Sequence, residues 1–378
     1  MARKLVYSSA PSLDFGWRGP FVDANDKVYT LVVNATKVYV LKAGADPLVN
    51  TWTGPDSGSS PTGTSFKFAS AIQDGTKIHV VAWDNSGGNY EYSVFGTSDD
   101  ASADQWDATI VDEQIEAPTN APTSGECFIS VRSDGDVIVL YNGDTDKVMG
   151  TDYDRVDYAR RESGSWTVGI NVAGDGLEAD RYATGIGRGA SDKVWFQFRQ
   201  ASGGYLRDLS STNSLGSELQ VSGTGGSWAF LLPYYDDGGV EVMTTARLHT
   251  TSDVRSRQTR DGTLQTELAL SGTDFNLLPE PAIAVDGTDA YVAYRDDTAS
   301  DVTYQKSADG AAWGNITTVS TATTPVAISA NVIDHGGGKV LAVVYLDTDV
   351  YYDEISIGPF SDPPRNRPNE KHIHLLRR

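Results

Sequence analysis

Carboxylates are the first groups in this chain that could do chemistry. Of its 378 residues 39 are Asp and 12 are Glu, against 30 Lys and Arg, for a formal charge of −21. Two carboxyls held about 5–9.5 Å apart can cleave a glycosidic bond, one as acid and the other as base or nucleophile. Glu126 and Glu280 each stand just ahead of an apolar run and fit that requirement, although 51 acids make such pairs easy to find by chance. Trp17, Tyr182 and Trp228 occupy comparable places and offer ring faces on which a sugar can stack; the same positions suit packing between structural units. Arg18 and Arg181 are candidates for holding a ligand carboxylate.

Other chemistries find less support. Asp152-Tyr-Asp154-Arg-Val-Asp157, Asp296-Asp297 with Asp301, and Asp347-Thr-Asp349 group hard oxygen ligands of the kind Ca2+ takes. None has the EF-hand spacing with its Gly and closing Glu, and Asp-rich turns account for all three. No metal site is therefore assigned, and Ca2+ stays an unproven cofactor. His79, His249, His335, His372 and His374 form no zinc constellation with Cys127, and neither a Ser-His-Asp triad nor a phosphate loop is legible. With no catalytic residue assigned, the chain reads as non-enzymatic.

Charge and hydropathy exclude further classes. So acidic a chain disfavours nucleic acid and anionic membrane surfaces, both of which select basic patches. The start, MARKLVYSSAPSLDFGW, has no apolar stretch of a secretory signal behind its basic residues. No window approaches a membrane span, and a single Cys127 cannot form an intramolecular disulfide.

The elements that must position these groups follow from a repeat. An apolar strand, an Asp- or Gly-bearing turn and a β-branched, aromatic strand recur seven times: 21–33, 68–83, 127–141, 182–198, 229–245, 281–294 and 327–345. The turn aspartates Asp26, Asp74, Asp134, Asp192, Asp237, Asp286 and Asp334 are 48, 60, 58, 45, 49 and 48 residues apart. Each pair leads to a third strand, such as 89–95, 254–260 or 301–307, and Trp52, Trp106, Trp166, Leu264 and Trp313 open a fourth. Four antiparallel strands per unit, repeated radially, describe a β-propeller blade, so the expected fold is an all-β, seven-bladed propeller over residues 1–358. The excess of Asp over Glu agrees, because Asp favours turns and Glu favours helices. The last unit lacks a fourth strand, and a ring with an open blade would leave a bare edge. Residues 4–8 are expected to fill that place and close the ring.

Ser307-Ala-Asp-Gly-Ala-Ala-Trp313, with weaker echoes at Glu162-Ser-Gly-Ser-Trp166 and Arg260-Asp-Gly-Thr263, resembles the Asp-box of sialidase-like β-propellers. That family includes sialidases, other glycan-processing enzymes, lectin-like binders and propeller modules of viral and phage particles. Its box is structural, with the Asp capping a hairpin and the Trp beneath it, so the resemblance implies fold and not activity. Sialidases hold their substrate's carboxylate with three arginines and use a Tyr/Glu nucleophile pair. Here Arg18 in Trp-Arg-Gly-Pro and Arg181 are loose counterparts, no third arginine is found, and Tyr182 and Glu280 are only nominal ones.

In a propeller, the loops that lead into each innermost strand share one face with the hairpins joining second and third strands. Those hairpins carry Asp84, Asp144, Asp146, Asp296, Asp297, Asp301, Asp347 and Asp349, a rim expected to repel anionic sugars. The last residues, 359–378, differ: five basic side chains against two acidic give +3, leaving −24 for the rest. Prolines favour an extended path there. Ile373, Leu375 and Leu376 could anchor such an arm on another subunit while Arg365, Arg367, Arg377 and Arg378 pair with acidic surface. The resulting expectation is an interaction propeller of a larger assembly, by resemblance a phage virion component of neck, tail or head, with other virion proteins as partners and a virion location. The competing expectation is a glycan-binding, or glycan-cleaving, propeller that meets a host-surface glycan at the channel mouth.

Overall fold

The computed structural model describes residues 3–8, 19–34, 36–54, 61, 63, 65–97, 104–118, 126–148, 151–173, 182–200, 203–223, 228–229, 232–249, 253–270, 280–296, 299–310, 312–321 and 325–359, with the side chains of 144–148 and 151–154 left aside. Seven antiparallel sheets form a β-propeller. Their innermost strands are Phe21–Val22, Phe66–Asp74, Cys127–Val131, Tyr182–Arg188, Tyr234–Asp237, Ala282–Asp286 and Ala327–His335, in that order for blades one to seven. Six blades run outward in chain order; blades two and five carry their outer strand as two pieces, Gln105–Trp106 with Glu113–Glu116 and Thr263–Leu264 with Leu268–Ala269. Among the described residues the sole helical turn is Ala190–Asp192, and no helix is long and apolar enough to cross a membrane.

Blade seven is completed from the other end of the chain. Lys4–Tyr7 pairs antiparallel with Val350–Pro359, with Lys4 opposite Tyr352 and Leu5 opposite Tyr351. Val6 is buried in the seam with blade one. The expected closing strand is thus present. Residues 360–378, and with them Arg365, Arg367, Ile373, Leu375, Leu376, Arg377 and Arg378, lie outside the described residues.

The core is distributed among the seams between neighbouring blades, because each sheet has two apolar faces and alternating residues fill both. One cluster joins blades one to four, and separate ones fill the seams four–five, five–six, six–seven and seven–one. Aromatic residues near the outer strands pin each blade to the preceding one. The Trp52 ring lies 5.2 Å from that of Tyr352, and Trp166 meets Tyr92 edge-on at 5.4 Å. Trp166 also donates to Glu113 at 2.8 Å, and Trp313 donates to Ser256 of blade five at 2.7 Å. In the segment 307–313, the Gly310 amide donates to Ser307 Oγ at 2.7 Å while the Trp ring leaves its own blade.

The turns between first and second strands occupy one face and bind blade to blade. The tight reversals use left-handed backbone at Gly75 and Gly287 (both φ 59°), where glycine has no Cβ to clash. Several turn aspartates that mark the repeat reach across seams. Gly336 of blade seven donates to Asp26 of blade one at 2.9 Å, Ser133 of blade three to Asp192 of blade four, and Lys339 of blade seven pairs with Asp286 of blade six. Arg132 of blade three, 1% exposed, reaches Ser210 O and Asn213 Oδ1 of blade four, both at 2.7 Å. Glu241 of blade five accepts from Trp195 Nε1 of blade four at 2.8 Å and from the Ala190 amide at 2.6 Å.

Candidate functional site

The opposite face carries the loops into the innermost strands. Glu126 directly precedes Cys127–Val131 of blade three, and Glu280 lies two residues ahead of Ala282–Asp286 of blade six. These blades stand on opposite sides of the ring, yet the Glu126 charge is near enough to act on the Glu280 carboxyl. Glu280 is half-buried, and its carboxyl is pushed up to about 7, first by burial and further by the Glu126 charge. At neutral pH one group of the pair can therefore donate a proton while the other accepts hydrogen bonds.

Glu126 is held by Asn142, which the sequence reading passed over. Asn142 is fully buried, and its Nδ2 donates to Glu126 Oε2 at 2.7 Å while its amide donates to Glu126 O at 3.2 Å. Its Oδ1 accepts from the Ala183 amide of blade four at 2.8 Å, and its carbonyl accepts from Tyr90 of blade two at 2.6 Å. One residue, through its side chain and its carbonyl, therefore ties three blades together. An Asn-Gly pair after an apolar strand ordinarily signals a two-residue hairpin, which hides Asn142 in the sequence. Here the strand continues to Val148 across an irregularity between Asn142 and Thr145, and its partner is Thr151–Glu162. Gly143 allows this, since a Cβ there would come within 2.1 Å of Asp157 Oδ2, itself bonded to Arg155 at 2.5 Å.

The other expected site residues divide. Tyr182 begins the innermost strand of blade four and is half-buried beside this network. Trp228 is 2% exposed and fills the seam between blades four and five with Trp195, Leu206 and Met243, under the Arg247 guanidinium at 5.6 Å. Its ring is thus packed in the seam, the alternative that the sequence left open for this position. Trp17, Arg18 and Arg181 lie outside the described residues.

Three of the rim aspartates are engaged by neighbouring groups. Asp84 is buried and accepts from the amides of Ser65 and Ser86 at 3.1 and 3.2 Å. Asp347 pairs with Arg3 at 3.1 Å, and Asp296 accepts from the Ala299 amide at 3.2 Å. These carboxylates cap turns, as Asp side chains do next to free backbone N–H groups. Among the described residues no group of three or more His, Cys, Asp and Glu is disposed to hold a metal ion.

No protein-family model matches the chain, and no curated protein sequence does. Solved structures do. The WD40 domain of Toxoplasma gondii coronin is similar over 96% of this chain and 85% of its own, at TM-score 0.57 and 8% identity. A mutant of AofleA from Arthrobotrys oligospora is similar over 95% and 86%, at TM-score 0.51 and 11% identity. The Hadza microbial sialidase Hz136 is similar over 88% and 73%, at TM-score 0.51 and 10% identity. The likeness is one of fold. Identities this low carry the propeller architecture and leave the chemistry to the site itself.

Proposed function

We propose that this propeller recognises a glycan at the channel mouth, between Glu280 and Glu126. The observation that carries the reading is the bond by which Asn142 fixes the Glu126 carboxylate on this face, with the Glu280 carboxyl, protonatable near neutrality, within reach of its charge. Sugar hydroxyls both donate and accept, so a carboxyl that can donate opposite a carboxylate that accepts suits them. Tyr182 adds a half-buried aromatic side chain on the same face. Binding without cleavage is the function proposed. The same acid–base pair is what hydrolysis would use, and a reducing-sugar release assay separates the two outcomes. On a glycan array, the wild-type chain is expected to bind, and Glu126→Gln to lose that binding by about tenfold or more. Equal binding by Glu126→Gln and Glu280→Gln would remove the mouth as the site.

An assembly role, including a place on a phage particle, rests on the charge division between residues 359–378 and the rest. We keep it as a second reading. Truncation after Gly358 is expected to leave a folded propeller that no longer associates with its partners, and unchanged association would discard the arm.

A further inference from the structure

Blade three has a part that blades two, four and seven lack. In those blades the second strand stops at, or one residue past, its last pairing with the innermost strand, at Asp84, Gln200 and Leu346. In blade three that pairing ends at Tyr141, but the second strand runs on to Val148 and the third returns as Thr151–Glu162. At about 3.3 Å per residue, segment 142–148 carries this ribbon roughly 20 Å past the innermost strand.

The ribbon is two strands wide. Thr145 pairs with Asp154, Asp146 with Tyr153, Lys147 with Asp152 and Val148 with Thr151, and among the described residues no third strand joins them. The fourth strand of the blade, Ser165–Asn171, reaches only to Asp157, and the Val172 amide makes the last bond of that line, to Val156 O at 2.8 Å. Along Thr151–Asp154 the outward edge therefore has no strand beside it among the described residues. Two-stranded ribbons are marginal in water, and an open edge is a template for a further strand.

Charge and pattern select what adds there. Residues 144–154 carry Asp144, Asp146, Asp152 and Asp154 against Lys147, a local −3, whereas residues 359–378 carry +3. Within the latter, Lys371-His-Ile-His-Leu-Leu-Arg377 is free of Pro and Gly, and an extended backbone puts Lys371, Ile373, Leu375 and Arg377 on one face. The two parts lie at opposite ends of a copy. Pro359 pairs with Gly338 beside the first–second strand turn of blade seven, whereas the ribbon rises from the mouth face of blade three. The strand Gly338–Leu346 makes the ring roughly 26 Å tall, and the ribbon stands above that height on the far side. Residues 360–370 extend to about 36 Å at most, too short to climb the ring and also cross it.

We infer that the outward edge Thr151–Asp154 of the blade-three ribbon is the docking surface for segment 371–377 of a second copy, which adds as a further strand. Copies then join head to tail, the turn face of one to the mouth face of the next, through a heterologous contact that repeats. This deepens the assembly reading, on which it rests. It leaves the channel side of the ribbon, where Asn142 holds Glu126, to the glycan.

The test is sedimentation velocity of the full chain over a range of concentrations. The wild-type chain is expected to form multimers whose share rises with concentration and falls with added salt. Asp152→Lys with Asp154→Lys is expected to weaken self-association by about tenfold or more, and Lys371→Glu with Arg377→Glu to do the same, since each turns attraction into like-charge repulsion. Mixed, these two variants are expected to associate again, because each supplies the half that the other has lost. If the ribbon variant does not fold, Asp152→Asn with Asp154→Asn only removes the charge and is expected to weaken association several-fold. A full chain that stays monomeric, association unchanged in either variant, or a mixture no more associated than its parts overturns the inference. Association that needs residues 359–378 but ignores the ribbon variants leaves the assembly reading standing and removes this surface. A monomeric chain whose binding to other partners is lost on truncation after Gly358 does so too.

Discussion

The two faces of the ring differ in the groups that they bring together across blades. On the face of the first–second strand turns, charged and polar groups are matched across seams: Arg132 with Ser210 and Asn213, Lys339 with Asp286, Glu241 with Trp195. On the mouth face, by contrast, the Glu126 charge acts on the Glu280 carboxyl, a like charge that raises it beyond the effect of burial. Matched groups stabilise the ring; mismatched ones cost stability and are what a ligand can compensate. Stability and recognition are thus separated by face.

The contrast can be broken by mutation. Arg132→Ala on the turn face should cost about 2–4 kcal/mol, since it removes two inter-blade hydrogen bonds of a buried guanidinium and leaves a cavity, read as a lower urea midpoint with an unchanged slope. A loss below the error of the fit would mean that the inter-blade bonds of this face do not hold the ring. Val6→Asp, which puts a charge into the seam closed by the N-terminal strand, should cost about 2–3 kcal/mol and speed hydrogen exchange in Val350–Pro359. Wild-type exchange there would exclude the strand as the closure.

The pH dependence sharpens the same contrast. Burial pushes the carboxyls of Glu280 and Glu91 up to about 7 and that of Asp353 up to about 6, so each holds its proton more tightly folded than unfolded. Their contribution is complete below about pH 4 and is lost as pH rises through 6–7. His79, enclosed with its Nδ1 2.6 Å from the Tyr92 hydroxyl, is pushed down to about 4 by burial, then by Lys77 and Arg161. Its contribution is complete above about pH 6.5 and is lost as pH falls toward 4. The three carboxyls outweigh the one imidazole between pH 5.5 and 8, so stability should fall across that range by about 1–2 kcal/mol. A rise measured by urea unfolding at the two pH values would contradict this balance. The smallest effect belongs to Glu280→Gln, which at pH 5.5 replaces a protonated carboxyl with a neutral amide. It should change stability by less than about 0.5 kcal/mol while removing part of the pH dependence, in contrast with Arg132→Ala.

Much of the fold was legible in the chain because its signals are local. The third strands expected at 89–95, 254–260 and 301–307 are found at Asn89–Gly96, Asp253–Arg260 and Asp301–Ser307. Turn chemistry marked each reversal, and alternating apolar residues marked both faces of each sheet. Trp228 shows the limit: a Trp ahead of a strand has the same sequence context whether it lines a mouth or fills a seam, and here it fills the seam. Asn142 shows another, since its Asn-Gly context reads as a turn while its side chain and carbonyl together join three blades.

The sequence alone determined seven four-stranded units, the closing strand at the N-terminus, the acidic character of the ring and the two glutamates ahead of their strands. Each depends on spacing, composition or local backbone preference, which the chain carries without being folded. Only the tertiary structure decided that the Glu126 charge reaches the Glu280 carboxyl, that Asp84 and Asp296 accept from turn amides, and that Trp228 fills the seam between blades four and five. Those facts depend on which side chains from distant blades meet in a low-dielectric interior, where a missing partner or a like charge is costly and therefore informative.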